Sequence, residues 1–336
     1  MTRALALSAV VALSVCAGGS AGGSVRLSPV SFTAIGEHDY WLLVKGPCCF
    51  SILRTIDGGR SFVRLPAPAL PAEGAVPTLR FADRRDGFAF VPGVGGVLYV
   101  THDGARTWRR LALGTVLAFA TGGGNAYAVT ARCSLQRCTR YRFERSPVSA
   151  DAWTARPPPF VPDGTIVGLA AHGSHLWLLG SRACDDLLGR SSDGGRTFVT
   201  GPGPCVAGLG GELSPTSASV VWAVCPTGML AGARRSTDGG LTFRRVPTPQ
   251  LANSAVLAPA SRDTAVLARN GARSRLLRTT DGGATWRAAR TPGRVVFVAW
   301  IGFTDARVGA ALVQTTSGAH VLWRTRDGGA RWSAVR

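Results

Sequence analysis

Few residues of this chain are of a type and spacing that could do chemistry. Glycoside hydrolysis needs two facing carboxylates, and the sequence holds only four glutamates, Glu37, Glu73, Glu144 and Glu212. Asp163, Asp185 and Asp186 fall in loops, while Asp83, Asp86 and Asp305 sit in short turns, where an aspartate commonly bonds its own backbone. His172 and His175 straddle a turn with Cys184 further on, without the His-x-x-x-His or Cys-x-x-Cys spacing of a metal site. There is no phosphate-cradling glycine loop leading into a helix and no nucleophile elbow. The expectation is a protein without cofactor, metal or catalytic residues.

Six further aspartates belong to a device that organises the whole chain. Thr279-Thr280-Asp281-Gly282-Gly283-Ala284-Thr285-Trp286 recurs with aspartates at Asp57, Asp103, Asp193, Asp238 and Asp327. A worn copy, residues 146–153, has Val148 in the aspartate's place, and Arg331 replaces the Ser/Thr of the last copy. The closing aromatics, Phe62, Trp108, Trp153, Phe198, Phe243, Trp286 and Trp332, are 43 to 46 residues apart, a period that marks a repeat architecture. Each copy lies between two apolar runs, so it is a hairpin turn. The aspartate accepts backbone N–H bonds, and the Gly-Gly supplies positive φ. Six such devices spaced around a fold cannot all line one active site, so a structural role is expected for them.

The pattern Ser/Thr-x-Asp-x-Gly-x-Thr-Trp resembles the Asp-box, or BNR repeat, of β-propellers. Sialidases, sortilin-type receptors, xyloglucan-active glycosidases and photosystem II stability/assembly-factor-like proteins carry it. Residues 81–91 and 97–101 resemble the longer repeat of the last group. The resemblance covers the chain after about residue 30. It implies a propeller whose Asp-boxes are structural and lie away from the ligand face. The sialidase motif Phe-Arg-Ile-Pro is missing, and residues 25–29 are its nearest match. Sialidases are also six-bladed, and xyloglucan-active relatives place their site between two tandem propellers.

Seven units, at about 31–66, 78–112, 115–156, 165–201, 207–247, 255–290 and 295–336, each hold four strand-like runs. The second runs, 40–44, 88–91, 126–130, 176–180, 221–225, 265–269 and 308–312, are uniformly apolar, as for strands buried on both faces. The fold class is therefore all-β: residues 25–336 form a single seven-bladed propeller of four antiparallel strands per blade, with the Asp-box hairpins between third and fourth strands. Residues 25–30 could add an extra strand, and no strand shared between the first and last units is evident.

With strands running outward from the axis, the Asp-box turns and the first-to-second turns share one rim. The second-to-third hairpins and the connections between blades share the other. Cys48, Cys49, Cys133, Cys138, Cys184, Cys205 and Cys225 all fall on that second rim. In an exported protein such cysteines form disulfides. Cys133 and Cys138 bracket a hairpin tip and are expected to pair, as are two of Cys184, Cys205 and Cys225. The same rim supplies the candidate binding face, Arg140, Trp153, Phe160, Arg182, Asp185 and Asp186.

Residues 1–24 read as a signal peptide and a Gly/Ser tether, too short in their apolar run to span a bilayer. Residues 13–16 resemble a bacterial lipobox with Cys16 as the lipidated residue, which would anchor the protein to a membrane. Cleavage after Ala17 or Ala21, with free secretion, is the alternative. The net charge of +19, from 38 Lys and Arg against 19 Asp and Glu, favours polyanionic partners. No basic stretch interleaved with aromatics speaks for nucleic acid. The expected function is that of an exported, monomeric, non-enzymatic propeller that binds a protein or an anionic polysaccharide or wall polymer, in the manner of an assembly factor. A glycoside hydrolase or a polysaccharide-binding protein is the alternative.

Overall fold

The computed structural model describes residues 28–335 apart from 72–73, 135–136, 272–273 and 319. The export segment and Cys16 lie outside the described residues. The rest is a ring of seven four-stranded antiparallel sheets, each made from one contiguous stretch of chain. Blade 1 comprises Ser28–Ala34, Tyr40–Lys45, Phe50–Thr55 and Val63–Pro66, and blade 7 comprises Val295–Phe303, Gly309–Thr315, His320–Thr325 and Ser333–Ala334. The five blades between them follow the same order. Residues 28–30 form no extra strand; they begin the innermost strand of blade 1, which has a bulge between Pro29 and Ser31.

The apolar second runs occupy the most enclosed strands. Tyr40–Lys45, Gly87–Val91 and Ala265–Arg269 are buried along nearly their whole length, because both faces of a blade are covered by neighbours. Seven apolar clusters result, one at each interface between blades. The closing aromatic of each unit enters the cluster shared with the preceding blade: Trp108 packs against blade 1, Trp286 against blade 5 and Phe62 against blade 7. Trp108 and Trp286 also donate their indole N–H to Pro66 O and Pro247 O on the preceding blade.

The aspartate turns share one hydrogen-bond pattern. At Asp281, Oδ1 accepts from Thr279 Oγ1 at 2.7 Å and from the Thr285 N–H at 2.9 Å, while Oδ2 accepts from Thr285 Oγ1 at 2.6 Å. The Gly283 N–H donates to Thr279 Oγ1, and Gly282 and Gly283 both adopt positive φ. The last copy keeps the Arg331 N–H bond to Asp327 Oδ1 at 2.9 Å, but Arg331 brings no hydroxyl to the second oxygen. In the worn copy Val148 turns inward. It is 9% exposed and packs in the cluster between blades 2 and 3 beside Trp153.

The ring closes without a shared strand. Blades 7 and 1 meet through side chains: the Trp300 and Phe32 rings lie 4.8 Å apart, and Leu312 and Ala310 pack with Leu42 and Val44. Arg324 donates to Glu37 O and Gly58 O, and Glu37 Oε1 lies 2.9 Å from Arg324 and 2.7 Å from Arg326.

Candidate functional site

The contact that closes the ring is one instance of a device repeated around it. An arginine on the third strand of one blade reaches to the same rim of the next, to its aspartate turn or to the first-to-second turn beside it. Arg235 donates to Arg262 O at 2.8 Å and to Asp263 at 2.6 Å, and Arg278 donates to Gly328 O at 2.8 Å. The Arg54 and Arg145 guanidiniums come against Gly104 and Gly194 in the same way. Arg54 and Arg235 also lie over the Trp41 and Trp222 rings, at 4.8 and 5.2 Å, a cation–π geometry. A share of the arginine excess is therefore spent inside the protein. Its signal is visible in the chain as an arginine just before the Ser/Thr of the turn, and composition alone conceals it.

The carboxylates near these arginines are also engaged. Asp39 lies 2.7 Å from Arg84, Asp86 lies 2.6 Å from His102 Nδ1, and Asp151 pairs with Arg109. In the turns, hydroxyl and backbone N–H donors favour the ionised form. The Ser61 hydroxyl and N–H hold Asp57 well below the usual carboxylate range. At Asp103 burial pushes upward, but the donors of Thr107 and Thr101 outweigh it and bring the group down to about 2.

The expected binding face is divided by the structure. Arg140, Arg182 and Asp185 are exposed on the rim of the second-to-third hairpins, with Arg182 opposite Asp185 across one of them. Phe160 is not available there; it is 4% exposed and packs against Gly180. Trp153 sits in the turn between third and fourth strands, on the opposite rim, half-buried in a cluster between blades. An aromatic among prolines reads as a surface loop, yet here the loop folds down and buries it. Asp186 is structural in its contacts: Oδ2 accepts the Cys205 N–H at 2.7 Å, and burial raises its pKa. His172 and His175 pair across a first-to-second turn, on the rim opposite Asp185 and Asp186. Among the described residues no three His, Cys, Asp or Glu side chains are grouped to hold a metal ion.

Cys133 bonds to Cys138 across its hairpin, and Cys205 bonds to Cys225, leaving Cys184 free. The second bridge ties the connection entering blade 5 to the end of that blade's second strand.

Two features of the ring interior gather functional groups that the sequence does not bring together. The first is a cleft of about 360 Å³ between blades 7, 1 and 2, at the lower end of the size of ligand pockets. Its walls include Phe32, Tyr40 and Trp300, with Glu37, Arg80 and Arg324 as charged groups. One register shift in Val295–Phe303, between Val298 and Trp300, and one in Ser28–Ala34 lie along it, and such bulges re-aim side chains. Burial pushes the Tyr40 hydroxyl above the usual tyrosine range, with Arg324 opposing, so it remains a neutral hydroxyl in the wall.

The second feature is a pair of opposite charges in the central channel. Arg80, on the inner strand of blade 2, alternates with the buried Leu79 and Phe81. Glu212 begins the inner strand of blade 5. Burial lowers the Arg80 pKa and raises that of Glu212, and their mutual attraction opposes both shifts. Both residues keep solvent-accessible surface.

No protein-family model matches the chain, and no curated protein matches it. Solved structures do. The chain superposes on YCF48 from Cyanidioschyzon merolae with a TM-score of 0.56 at 16% identity, covering 90% of this chain and 96% of that one. A structure of YCF48 bound to D1 peptide gives 0.54 at 17% identity, over 90% and 94%. A puromycin-hydrolysing peptidase of Mycobacterium tuberculosis gives 0.63 at 12% identity over 93% of this chain, which spans 52% of that protein's length. These likenesses show the propeller fold, in keeping with the resemblance carried by the turns. Their company includes both a peptide-bound propeller and an enzyme.

Proposed function

We propose that this propeller is a non-enzymatic binding module of the cell envelope that holds an acidic, partly apolar segment of another protein. The carrying observation is the cleft between blades 7, 1 and 2, where aromatic walls and Arg80 open toward a channel in a protein of net charge +19. Aromatic surface supplies contact area, and the basic field supplies steering toward an anionic partner. The engagement of the turn aspartates by their own donors favours binding over hydrolysis. That a propeller of this architecture, YCF48, has been seen with a peptide supports the same reading. The export segment and Cys16 would place the module outside the cytoplasm, anchored or secreted.

The test is photo-cross-linking in intact cells from position 80, with position 60 on an exposed aspartate turn as reference. Enrichment of one envelope protein from position 80 alone is the expected result. Recovery of glycan without protein would move the reading to an anionic polymer. Hydrolysis of a glycoside or peptide by the purified protein would overturn it.

A further inference from the structure

Beyond the binding reading and independent of it, the hairpin between the second and third strands of blade 1 carries two adjacent free thiols. Tyr40–Lys45 and Phe50–Thr55 pair up to Lys45 opposite Phe50, leaving residues 46–49 as the turn. The Gly46 N–H donates to Cys49 O at 2.9 Å and closes it. Cys48 and Cys49 are both exposed, and their sulfurs lie 2.8 Å apart. Bond formation would require the sulfurs to approach by less than about 1 Å, given the 2.03–2.05 Å of a disulfide. Arg64 is held beside the tip by bonds to Ser51 Oγ at 2.7 and 3.1 Å, and a neighbouring guanidinium favours thiolate. The shared hydrogen bond to Cys48 holds the Cys49 thiol up, with Arg64 opposing.

We propose that Cys48 and Cys49 form a reversible two-electron dithiol–disulfide site that exchanges with disulfides in solution. A Cys48 thiolate attacks one sulfur of the external disulfide, forming a mixed disulfide and releasing one thiolate. Cys49, deprotonated, then attacks Cys48 Sγ, forming the Cys48–Cys49 bond and releasing the second thiolate. Both protons pass from the protein thiols to the two leaving thiolates. The external disulfide is reduced to two thiols, and the pair is oxidised by two electrons. Adjacent residues have Cα atoms closer than the usual span of a disulfide, so the closed ring is strained and more reducible than an unstrained bridge. The pair therefore opens under conditions in which Cys205–Cys225 stays closed.

The experiment equilibrates the full-length protein in reduced and oxidised glutathione at several ratios. An acid quench, alkylation and a tryptic digest follow. Cleavage after Lys45 and Arg54 isolates residues 46–54, which contain both thiols and no other cysteine. In oxidising mixtures this peptide is expected to resist alkylation and to be lighter than its reduced form by two hydrogens. Cys184, exposed and outside any disulfide, serves as internal control and acquires glutathione. Cys48→Ser and Cys49→Ser, at an exposed tip, each convert the closed peptide into a glutathione adduct. A wild-type peptide 46–54 that carries glutathione as Cys184 does, or that stays fully alkylatable when Cys184 is modified, would overturn the proposal. So would cross-linking between molecules through this peptide.

Discussion

Replacing Arg324 with alanine tests whether the ring is held at its closure by one buried guanidinium. The side chain is 11% exposed and serves Glu37 O, Gly58 O and the Glu37 carboxylate at 2.9 Å. A hydrogen bond involving a charged group contributes about 1.5–3 kcal/mol, and leaving its buried partner unsatisfied costs about 1–3 kcal/mol. The Gly58 contact is long, at 3.4 Å, and Glu37 keeps Arg326 as a second partner. The expected loss is therefore about 2–4 kcal/mol, below the sum of the separate contacts. Arg326 reaches the same carboxylate oxygen at 2.7 Å but is 65% exposed, and an exposed pair contributes less than about 1 kcal/mol. Guanidinium unfolding of both variants reads the difference as a midpoint shift at unchanged slope. Arg278→Ala, which removes the equivalent bond to Gly328 O between blades 6 and 7, should cost a similar amount. If Arg324→Ala destabilised no more than Arg326→Ala, the reasoning would fail.

The turn aspartates predict an acid limb. Asp103 and Asp238 fall to about 2 in the folded protein, below about 3.9 for an unfolded aspartate. Their contribution is fully present above that value and is lost as pH falls from about 4 to 2; a flat urea midpoint over this window would contradict it. Val148→Asp, which restores the repeat consensus in the worn copy, should destabilise by about 3 kcal/mol or more, because a carboxylate would replace an apolar side chain inside a cluster; a gain in melting temperature would refute this. Reducing Cys205–Cys225, with a separation of 20 residues, should cost about 3 kcal/mol, and Cys133–Cys138, with a separation of 5, about 2 kcal/mol. Denaturant titrations of Cys225→Ser and Cys138→Ser check the order.

The architecture was legible because the aspartate turns fix both strand direction and period, and because apolar second runs such as 221–225 fit only a strand covered on both sides. The Cys133–Cys138 pair was legible from two cysteines five positions apart at a hairpin tip. The choice of Cys205 over Cys184 was not, since it depends on where the connection entering blade 5 lies relative to Cys225. Nor could the sequence show that Arg80 and Glu212, on the inner strands of blades 2 and 5, would feel each other's charge, since only the closed ring turns those strands toward one axis. Phe160 and Trp153 were misread for a related reason. Both are covered by an adjacent blade; local composition carries no trace of this for Phe160, whereas the repeat period marks Trp153 as a closing aromatic. Val148 was recognised as a departure from the repeat, but its inward turn depends on room in the cluster between blades 2 and 3.

The side-chain closure between blades 7 and 1 has a mechanical consequence. Many strands of this protein would have to be peeled from their sheets before a blade could be extracted, yet parting the described ends breaks no backbone ladder. Under tension applied at residues 28 and 335, the ring should first gape like a split washer, with seven intact blades on a hinged strip. The first extension event in a pulling trace would then be short and would reverse quickly, and Arg324→Ala would lower its force while leaving the later blade-by-blade peaks in place.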